Sequence, residues 1–258
     1  MVFQRWKEAL KTWERWYEKS GMRQKPLTFD VKWWDFIVDF TIKYLQAKSV
    51  IDVGCGTGWF IFKSFKRGVK LGCGIDPSEK CIRDAQGLSK KLSVTGPHFI
   101  RGVGEKLPFR NRVFDVAVCI ATLDHAFSPD MVLNEINRVL KQHGIFILYQ
   151  HSSYLVMPIY SSSIHLIMRL PYLGKKLGQK LEMEEIEHHL YYYSYSILRS
   201  MLLEHGFRII KYQTRGFKMP KILRQLLSVI PKMNDVIFSL GNRFPSLSSA
   251  IIFLLEKS

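Results

Sequence analysis

From residue 49 onwards, short β-branched runs alternate with stretches of helical periodicity, and this alternation limits the fold more than any other feature of the sequence. Five of these runs are predicted strands: 49–53, 71–75, 98–102, 113–120 and 144–149. Predicted helices lie between them at 58–67, 78–91 and 129–141. Strands and helices in alternation form βαβ units, which build a parallel sheet covered by helices on both faces.

Two further segments are predicted to cover this core. Amphipathic helices at 3–19 and 30–46 predict an N-terminal helical cap over residues 1–48. The alternation lapses after Tyr149, so residues 151–193 are predicted to form a helical lid insertion. The aromatic run that ends at Tyr195 could line an acceptor pocket, or it could simply pack against the sheet.

The C-terminal part, 194–258, returns to regular structure. It contains a predicted helix at 195–205 and predicted strands at 207–212 and 250–255. A basic helical insertion at 213–248 separates the two strands. We predict one domain over 1–258, with its cofactor-binding core at 49–150. The predicted architecture is a Rossmann-like α/β fold with a doubly wound, seven-stranded and mostly parallel sheet.

Composition excludes several classes of protein. Of the 258 residues, 47% are hydrophobic and 23% are charged, which is not the composition of a disordered chain. No run reaches the ~18–20 apolar residues of a membrane-spanning helix. The four cysteines form no Cys-x-x-Cys pair, so we predict neither a disulfide framework nor a metal site. These features predict a cytoplasmic protein.

The glycine turn at 54–58 is the strongest chemical signal. Ser49-Val-Ile-Asp-Val-Gly-Cys-Gly-Thr-Gly58 leads from a predicted strand into a helix, and its glycines let backbone N–H groups approach a ligand. No Gly-Lys-Ser/Thr follows, which excludes a P-loop, and Trp59 replaces the third small residue of a dinucleotide fingerprint. Asp52 would repel a pyrophosphate but suits an ammonium or sulfonium group.

A second acidic residue is placed to hold a ribose. Asp76, in Gly74-Ile-Asp-Pro-Ser, lies eighteen residues past Gly58 at the end of the second predicted strand. A carboxylate there can accept hydrogen bonds from both ribose hydroxyls. The glycine turn and this carboxylate, on successive strands, together predict a ligand that contains a nucleoside.

These residues resemble the class I S-adenosylmethionine-dependent methyltransferases, above all the small-molecule group that includes quinone, sterol and cell-envelope sugar methyltransferases. Beyond the two motifs above, the resemblance extends to three segments, with sequences Gly102-Val-Gly-Glu-Lys-Leu-Pro-Phe109, Phe114-Asp-Val-Ala-Val-Cys-Ile-Ala121 and Leu133-Asn-Glu-Ile-Asn-Arg-Val-Leu-Lys-Gln-His-Gly144. The five motifs occur in the order of that family. They imply S-adenosylmethionine as cofactor and do not specify the acceptor.

The resemblance also implies a set of cofactor-binding residues. They are Asp52, Gly54, Cys55, Gly56, Gly58, Asp76, Pro77, Gly104, Glu105 and Ile120. By this resemblance the first glycines pack against the methionine part, Asp76 holds the ribose, and Gly104 and Glu105 flank the adenine. Val103 stands where the family has an acidic residue for the adenine amino group, so adenine recognition would rest on the backbone or on Glu105.

Methyl transfer from a sulfonium is an in-line displacement, so a base is needed only if the accepting atom must lose a proton. Candidates near the ends of the fourth and fifth strands are Asp124, His125, His151 and Tyr154. We assign the catalytic role to His125 and His151. The alternative is that both are solvated residues of rim loops.

The basic charge is concentrated near the C-terminus. The net charge is +16, and residues 211–258 hold eight Lys and Arg against two Asp and Glu. Residues 211–248 could lie on the anionic inner face of a membrane, or pack on the sheet edge with a solvated basic side. We predict a small or lipid-linked acceptor: a quinone, an isoprenoid lipid or an envelope sugar.

Two alternatives to this function stay open. An RNA methyltransferase agrees with the net charge, but no RNA-binding motif accompanies the core, and Ile-Ala-Thr-Leu123 stands where an RNA-type acceptor signature would follow the fourth strand. We therefore do not expect a nucleic-acid partner. The second alternative is a non-catalytic protein that binds S-adenosylmethionine, which Val103 favours.

Overall fold

A mixed sheet of seven strands forms the centre of the protein, which we describe from a computed structural model. The structure describes residues 49–151, 193–217 and 248–258, and single positions outside these ranges: Lys7, Glu8, Leu10, Lys11, Glu14, Arg15, Ile37, Tyr44, Tyr191, Arg243 and Pro245. The strands are β1 Ser49–Val53, β2 Leu71–Asp76, β3 Pro97–Arg101, β4 Phe114–Ile120, β5 Leu140–His151, β6 Phe207–Phe217 and β7 Ser248–Lys257.

The order of the strands brings the ends of four of them together. Across the sheet the order is β3-β2-β1-β4-β5-β7-β6. The first five strands pair in parallel, and β7 pairs antiparallel with both β5 and β6. The carboxyl ends of β1, β2, β4 and β5 therefore lie along one edge, the edge at which open α/β sheets bind ligands.

Serine caps begin three of the described helices. The helices are α1 Trp59–Phe65, α2 Glu79–Lys91, α3 Pro129–Val139 and α4 Tyr195–Glu204, with a 3₁₀ turn at Leu123–His125. The side chains of Ser78, Ser128 and Ser194 each accept a hydrogen bond from a backbone N–H three residues further on, at α2, α3 and α4. Among the described residues, no helix has the length and apolar character that crossing a membrane requires.

Each face of the sheet has its own apolar core. On one face, Phe60 and Ile61 of α1 pack with Tyr149 of β5, and Ile37 of the predicted cap is fully buried there. On the other face, helices α3 and α4 contribute residues such as Leu133 to the core. The parallel strands are thus covered on both faces, which confirms the predicted Rossmann-like α/β fold.

The largest differences from the predicted strand boundaries are in β5, β6 and β7. Strand β5 begins at Leu140 and not at Gly144, because Leu140 pairs with Phe114 before the register shifts. Strand β6 continues to Phe217 and pairs there with Ser248, the first residue of β7. The predicted strands at 207–212 and 250–255 were therefore too short. Pairing with a partner strand extends them, and a local pattern of residues does not contain that information.

Much of the predicted cap, lid and basic insertion lies outside the described residues. These parts are 152–190 and 218–242, and most of 1–48. The described positions of the cap, from Lys7 to Tyr44, are helical. The division into cap, core and insertions stays a prediction.

Candidate functional site

The glycine turn between β1 and α1 has a backbone conformation that few other residues adopt. Gly54, Gly56 and Gly58 have φ angles of 77°, 52° and 75°. The backbone N–H groups of Gly54 and Cys55 both donate to the carbonyl oxygen of Ile75, over 2.8 and 3.0 Å. The turn is therefore fixed against the end of β2.

The three glycines serve different purposes. A Cβ on Gly54 would collide with the side chain of Thr122, and a Cβ on Gly58 would collide with the ring of Phe99. A Cβ on Gly56 would meet nothing within 4 Å. Gly54 and Gly58 thus permit close packing within the protein, while Gly56 faces the open space of the candidate site.

Asp76 holds the turn from the end of β2. Its Oδ2 accepts a hydrogen bond from the N–H of Gly56, and its Oδ1 accepts one from the N–H of Ser78, each over 2.9 Å. Burial raises the pKa of Asp76 to about 6, although these two donors oppose the rise. A carboxylate has about four lone-pair sites, so two remain for ribose hydroxyls. Pro77 lies between Asp76 and the cap of α2.

Asp52 contributes a second buried carboxylate. It is 2% exposed, and its Oδ1 has no hydrogen-bond partner among the residues that the structure describes. Burial, with a smaller effect from the charge of Asp76, raises the pKa of Asp52 to about 8. Burial also raises the pKa of the Cys55 thiol, so this residue is a neutral, buried side chain of the turn. A positively charged ligand would compensate for the charge of Asp52.

Acidic side chains also surround the end of β4. Burial first, and then the negative charges of Asp52, Asp124 and Glu105, raise the pKa of the Cys119 thiol. Three carboxylates therefore act on one buried sulfur atom. Ile120, the last residue of β4, is nearly buried beside them. Acidic side chains from three separate segments thus come near this end of the sheet.

The predicted adenine segment is tightly tied to α3. Oε1 of Glu105 accepts hydrogen bonds from the N–H groups of Phe127 and Ser128, over 2.6 and 3.2 Å. A Cβ on Gly104 would lie 2.9 Å from Val53, so this glycine permits packing against β1. The Glu105 carboxylate thus stabilises the start of α3. The predicted contact with adenine is left to the backbone around Val103 and stays a prediction.

The two predicted bases lie at the ends of neighbouring strands. His125 follows β4, and its Nε2 is 3.9 Å from Oδ1 of the buried Asp124. His151 ends β5, where its exposed ring lies with Nδ1 3.5 Å from the hydroxyl oxygen of Tyr149. Tyr154, the remaining candidate, lies outside the described residues.

Tyrosines from the end of the predicted lid close the rim after β4. The hydroxyl of Tyr193 donates to the carbonyl oxygen of Leu123 over 3.3 Å, and that of Tyr191 donates to Phe127 over 3.0 Å. The backbone N–H of Tyr191 donates to the carbonyl oxygen of Asp124. The aromatic run therefore contacts the loop that carries His125.

Two residues of this region escaped the sequence analysis. Glu14 accepts a hydrogen bond from the hydroxyl of Ser78 over 2.9 Å, beside Asp76. Thr122 donates to the carbonyl oxygen of Ile120 over 3.0 Å and fills the space that Gly54 leaves. The contacts of Glu14 with Ser78 and of Thr122 with Gly54 each join residues more than sixty positions apart, so no local signal reveals them.

Comparison with known proteins places the chain in a family. A family model described as a methyltransferase domain matches residues 45–194. The chain belongs to this methyltransferase family. The resemblance to class I S-adenosylmethionine-dependent methyltransferases is thereby confirmed. The matched residues include the whole glycine turn, both acidic residues and the rim at Leu123–His125.

Relatives of this methyltransferase-family chain differ in the names of their acceptors. It is 30% identical over 144 residues to the tRNA U34 carboxymethyltransferase of Nautilia profundicola. This match covers 55% of this chain and 46% of that protein. It is also 30% identical, over 142 residues, to the demethylmenaquinone methyltransferase of Lactococcus lactis, with coverages of 54% and 56%. The chain spans about half the length of the curated relatives it matches.

A solved structure supports the fold. YcgJ from Bacillus subtilis superposes with a TM-score of 0.56, covering 86% of this chain and 97% of that chain, at 18% identity. At this identity the match shows the fold alone.

The site fits the cofactor of the methyltransferase family. S-adenosylmethionine has a positive sulfonium and an ammonium group at one end and a ribose with free hydroxyls further along. Oδ1 of Asp52, which has no hydrogen-bond partner among the described residues, suits the positive end, and the space beside Gly56 is open to the ligand. Asp76 lies at the end of the next strand, where a ribose would bind.

Proposed function

We propose that the protein transfers a methyl group from S-adenosylmethionine to a small or lipid-linked acceptor, such as a quinone, an isoprenoid lipid or an envelope sugar. One observation carries the proposal: Asp52 is a buried carboxylate whose Oδ1 has no partner among the described residues, and it precedes a glycine turn that opens at Gly56. A buried carboxylate is stable in its charged form only beside a cation or several donors.

The protein's own part in this reaction is chiefly to position the reactants. When bound, S-adenosylmethionine supplies a methyl group that its sulfonium has already activated. Asp52 would hold the methionine end beside the open space at Gly56, and Asp76 would hold the ribose. Holding the acceptor in line and excluding water then supply most of the rate acceleration.

A base is required if the acceptor presents a hydroxyl or another protonated atom. His125 is suited to take that proton, because the neighbouring carboxylate of Asp124 stabilises the imidazolium that forms. His151 is the second candidate, at the end of the adjacent strand β5. His125 follows β4 and His151 is the last residue of β5, so both lie at the ligand-binding edge of the sheet.

An RNA methyltransferase is the second candidate function. Its support is the 30% identity to a tRNA U34 carboxymethyltransferase and the net charge of +16. The excess charge of residues 211–258 would serve RNA and an anionic membrane equally well. The demethylmenaquinone relative, at the same identity, supports the small-acceptor proposal.

One experiment separates these functions. The purified protein is incubated with methyl-labelled S-adenosylmethionine and either a lipid extract or bulk RNA, and the label in each fraction is counted. We expect label in the lipid extract. Label in RNA alone would establish the second candidate, and label in neither fraction, with tight cofactor binding, would favour the non-catalytic alternative.

Attachment to the inner face of a membrane has its own test. Vesicles of anionic or neutral lipid are sedimented with the protein and with a Lys221→Glu, Arg224→Glu variant. We expect pelleting with anionic vesicles only, and less of it for the variant, because each basic residue near the surface contributes about 1 kcal/mol at most. Equal pelleting of both proteins would contradict a role for 211–248.

A further inference from the structure

Glu14 brings a carboxylate from the predicted N-terminal cap to the end of β2. It lies in a helical part of the cap, and its side chain is half-buried. Its Oε1 accepts a hydrogen bond from the hydroxyl of Ser78 over 2.9 Å. Ser78 is fully buried and caps the start of α2. A residue of the cap is therefore bound directly beside Asp76.

Ser78 connects Glu14 to the proposed ribose ligand. The backbone N–H of Ser78 donates to Oδ1 of Asp76 over 2.9 Å, and its Oγ accepts from the N–H of Cys81. A serine hydroxyl has one proton to donate, and Glu14 accepts it. The lone pairs of Oγ are thereby directed at the start of α2. Glu14 thus helps to fix the residue that holds one oxygen of Asp76.

The cap also contacts the core at a second place. Ile37 is fully buried in the core that contains Phe60 of α1, and Tyr44 packs against the same core. These contacts do not involve Glu14. A substitution of Glu14 therefore removes one contact of the cap and leaves these apolar contacts in place.

Glu14 acts on Asp76 through its charge as well. Burial raises the pKa of Asp76 to about 6, the N–H groups of Ser78 and Gly56 oppose the rise, and the negative charge of Glu14 adds to it. A carboxylate that is half-protonated near pH 6 responds to the removal of a single neighbouring charge.

Other titratable and charged groups also surround Asp76. Among the described residues they are Asp52 of β1, Cys55 of the glycine turn, Cys81 of α2, and Arg101 of β3 with its ion-pair partner Glu79. Burial raises the pKa of both thiols, so these cysteines are neutral. Glu14 is the one neighbour of Asp76 in this set that comes from the cap.

We propose that Glu14 is a positioning residue of the cofactor site, which orients Ser78 and controls how strongly Asp76 binds the ribose. This inference rests on the proposed methyltransferase function and adds a residue of the cap to its site. Hydrogen bonds from ribose hydroxyls are stronger when the carboxylate that accepts them is ionised. The hydrogen bond of Glu14 therefore supports cofactor binding, while its charge weakens binding wherever Asp76 is partly protonated.

Two substitutions separate the hydrogen bond from the charge. Glu14→Gln keeps an oxygen that accepts from Ser78 and removes the charge, whereas Glu14→Ala removes both. The matched control is Glu8→Gln, in an exposed glutamate of the same predicted helix that does not act on the pKa of Asp76. Calorimetry measures the binding of S-adenosylhomocysteine, which lacks the sulfonium charge, at about pH 5.5 and about pH 8. Thermal unfolding is recorded for each protein.

The two variants should differ from each other in a way that depends on pH. At about pH 8 we expect Glu14→Gln to bind as tightly as the wild-type protein and Glu14→Ala to bind about threefold more weakly. At about pH 5.5, Glu14→Gln should bind about twofold more tightly than the wild type, because removing the charge lowers the pKa of Asp76. Asp52 also titrates, but it does so in all these proteins. Glu8→Gln should match the wild type at both pH values.

Equal affinity of Glu14→Ala and the wild type at the higher pH would overturn the inference, whether or not the variant unfolds at a lower temperature. A ratio of Glu14→Gln to wild-type affinity that does not change with pH would overturn it too. Carbon NMR of the cofactor-free protein gives an independent readout: the carboxyl signal of Asp76, identified by its loss in Asp76→Asn, should titrate at lower pH in Glu14→Gln. Failure of the wild type to bind S-adenosylhomocysteine would contradict the proposed function, and an unshifted Asp76 titration would contradict the inference.

Discussion

Gly56 donates its backbone N–H to Oδ2 of Asp76 over 2.9 Å, and this hydrogen bond joins the glycine turn after β1 to the carboxylate that ends β2. The other oxygen of Asp76 accepts from Ser78 at the start of α2. One buried side chain thus fixes the shape of the turn and the start of a helix. The same side chain is the proposed ribose ligand, so its removal acts on cofactor binding directly and through the turn.

Replacing Asp76 should therefore weaken cofactor binding. We expect Asp76→Ala to lower the affinity for S-adenosylmethionine by ~1.5–3 kcal/mol, the range for hydrogen bonds to a charged group. Calorimetry measures this change in affinity. The matched control is Asp115→Ala: Oδ2 of Asp115 accepts from the N–H of Ser49 over 3.0 Å at the opposite edge of the sheet. The control should lose stability only, and an equal loss of affinity in both variants would contradict the assignment.

The charge state of Asp52 should make cofactor binding depend on pH. Its pKa is about 8 without the cofactor, and a cationic ligand favours the ionised form. Below that pH, binding must release a proton, so the affinity should rise as the pH increases from about 6 to 8. The difference in affinity between the wild-type protein and Asp52→Asn, titrated over this range, isolates the effect. A difference that does not change with pH would place the positive charge elsewhere.

The same shift predicts how stability depends on pH. The folded protein keeps a proton on Asp52 up to about pH 8, whereas the unfolded chain releases it near pH 3.8. The folded state therefore binds more protons in this window, and the free energy of unfolding should fall as the pH rises through it. Asp52→Asn should remove this part of the slope in denaturant melts at several pH values.

Substitutions of Gly56 and Gly58 should have different effects on stability and on cofactor affinity. At both Gly56 and Gly58 an alanine would have a positive φ, which costs ~1–2 kcal/mol. Gly58→Ala adds a clash with Phe99, whereas the Cβ of Gly56→Ala enters open space where the cofactor would lie. We expect Gly58→Ala to lose more stability and Gly56→Ala to lose more cofactor affinity. Thermal unfolding and calorimetry on both variants test this, and the reverse order would contradict the assignment.

A substitution at Val103 should improve cofactor binding. If adenine recognition lacks a side-chain acceptor, Val103→Asp should tighten cofactor binding by ~1 kcal/mol, the net value of one hydrogen bond. Glu105→Gln is the matched control: its carboxylate caps the start of α3 through Phe127 and Ser128. The control should lower stability and change cofactor affinity little. Weaker binding by a well-folded Val103→Asp variant would show a different adenine pocket.

The sequence predicts those parts of the site that depend on spacing along the chain. The local periodicity of β1 and β2 is enough to locate Asp52, Gly56 and Asp76 at or near the ends of these strands. Parallel pairing then brings the ends of β1 and β2 together. The packing roles of Gly54 and Gly58 could not be predicted, because Thr122, which follows β4, and Phe99, in β3, are distant from them in the sequence.

Contacts between remote segments explain the other differences. Glu105 has the position expected of an adenine neighbour, yet its carboxylate accepts hydrogen bonds from the N–H groups of Phe127 and Ser128, just before α3, which only the folded chain brings within reach. Glu14 looks like an ordinary polar residue of an amphipathic helix in the sequence. Its contact depends on Ser78, which comes sixty-four positions later in the chain.

The central claim is that this edge of the sheet binds a cationic nucleoside cofactor. Calorimetric titration of the purified protein with S-adenosylmethionine, S-adenosylhomocysteine, NAD and ATP tests it most directly. We expect saturable binding of the first two at one site, with NAD and ATP far weaker, since the phosphates of NAD and ATP offer no positive charge to the buried Asp52 next to the turn. NAD or ATP binding as tight as that of S-adenosylmethionine would contradict it.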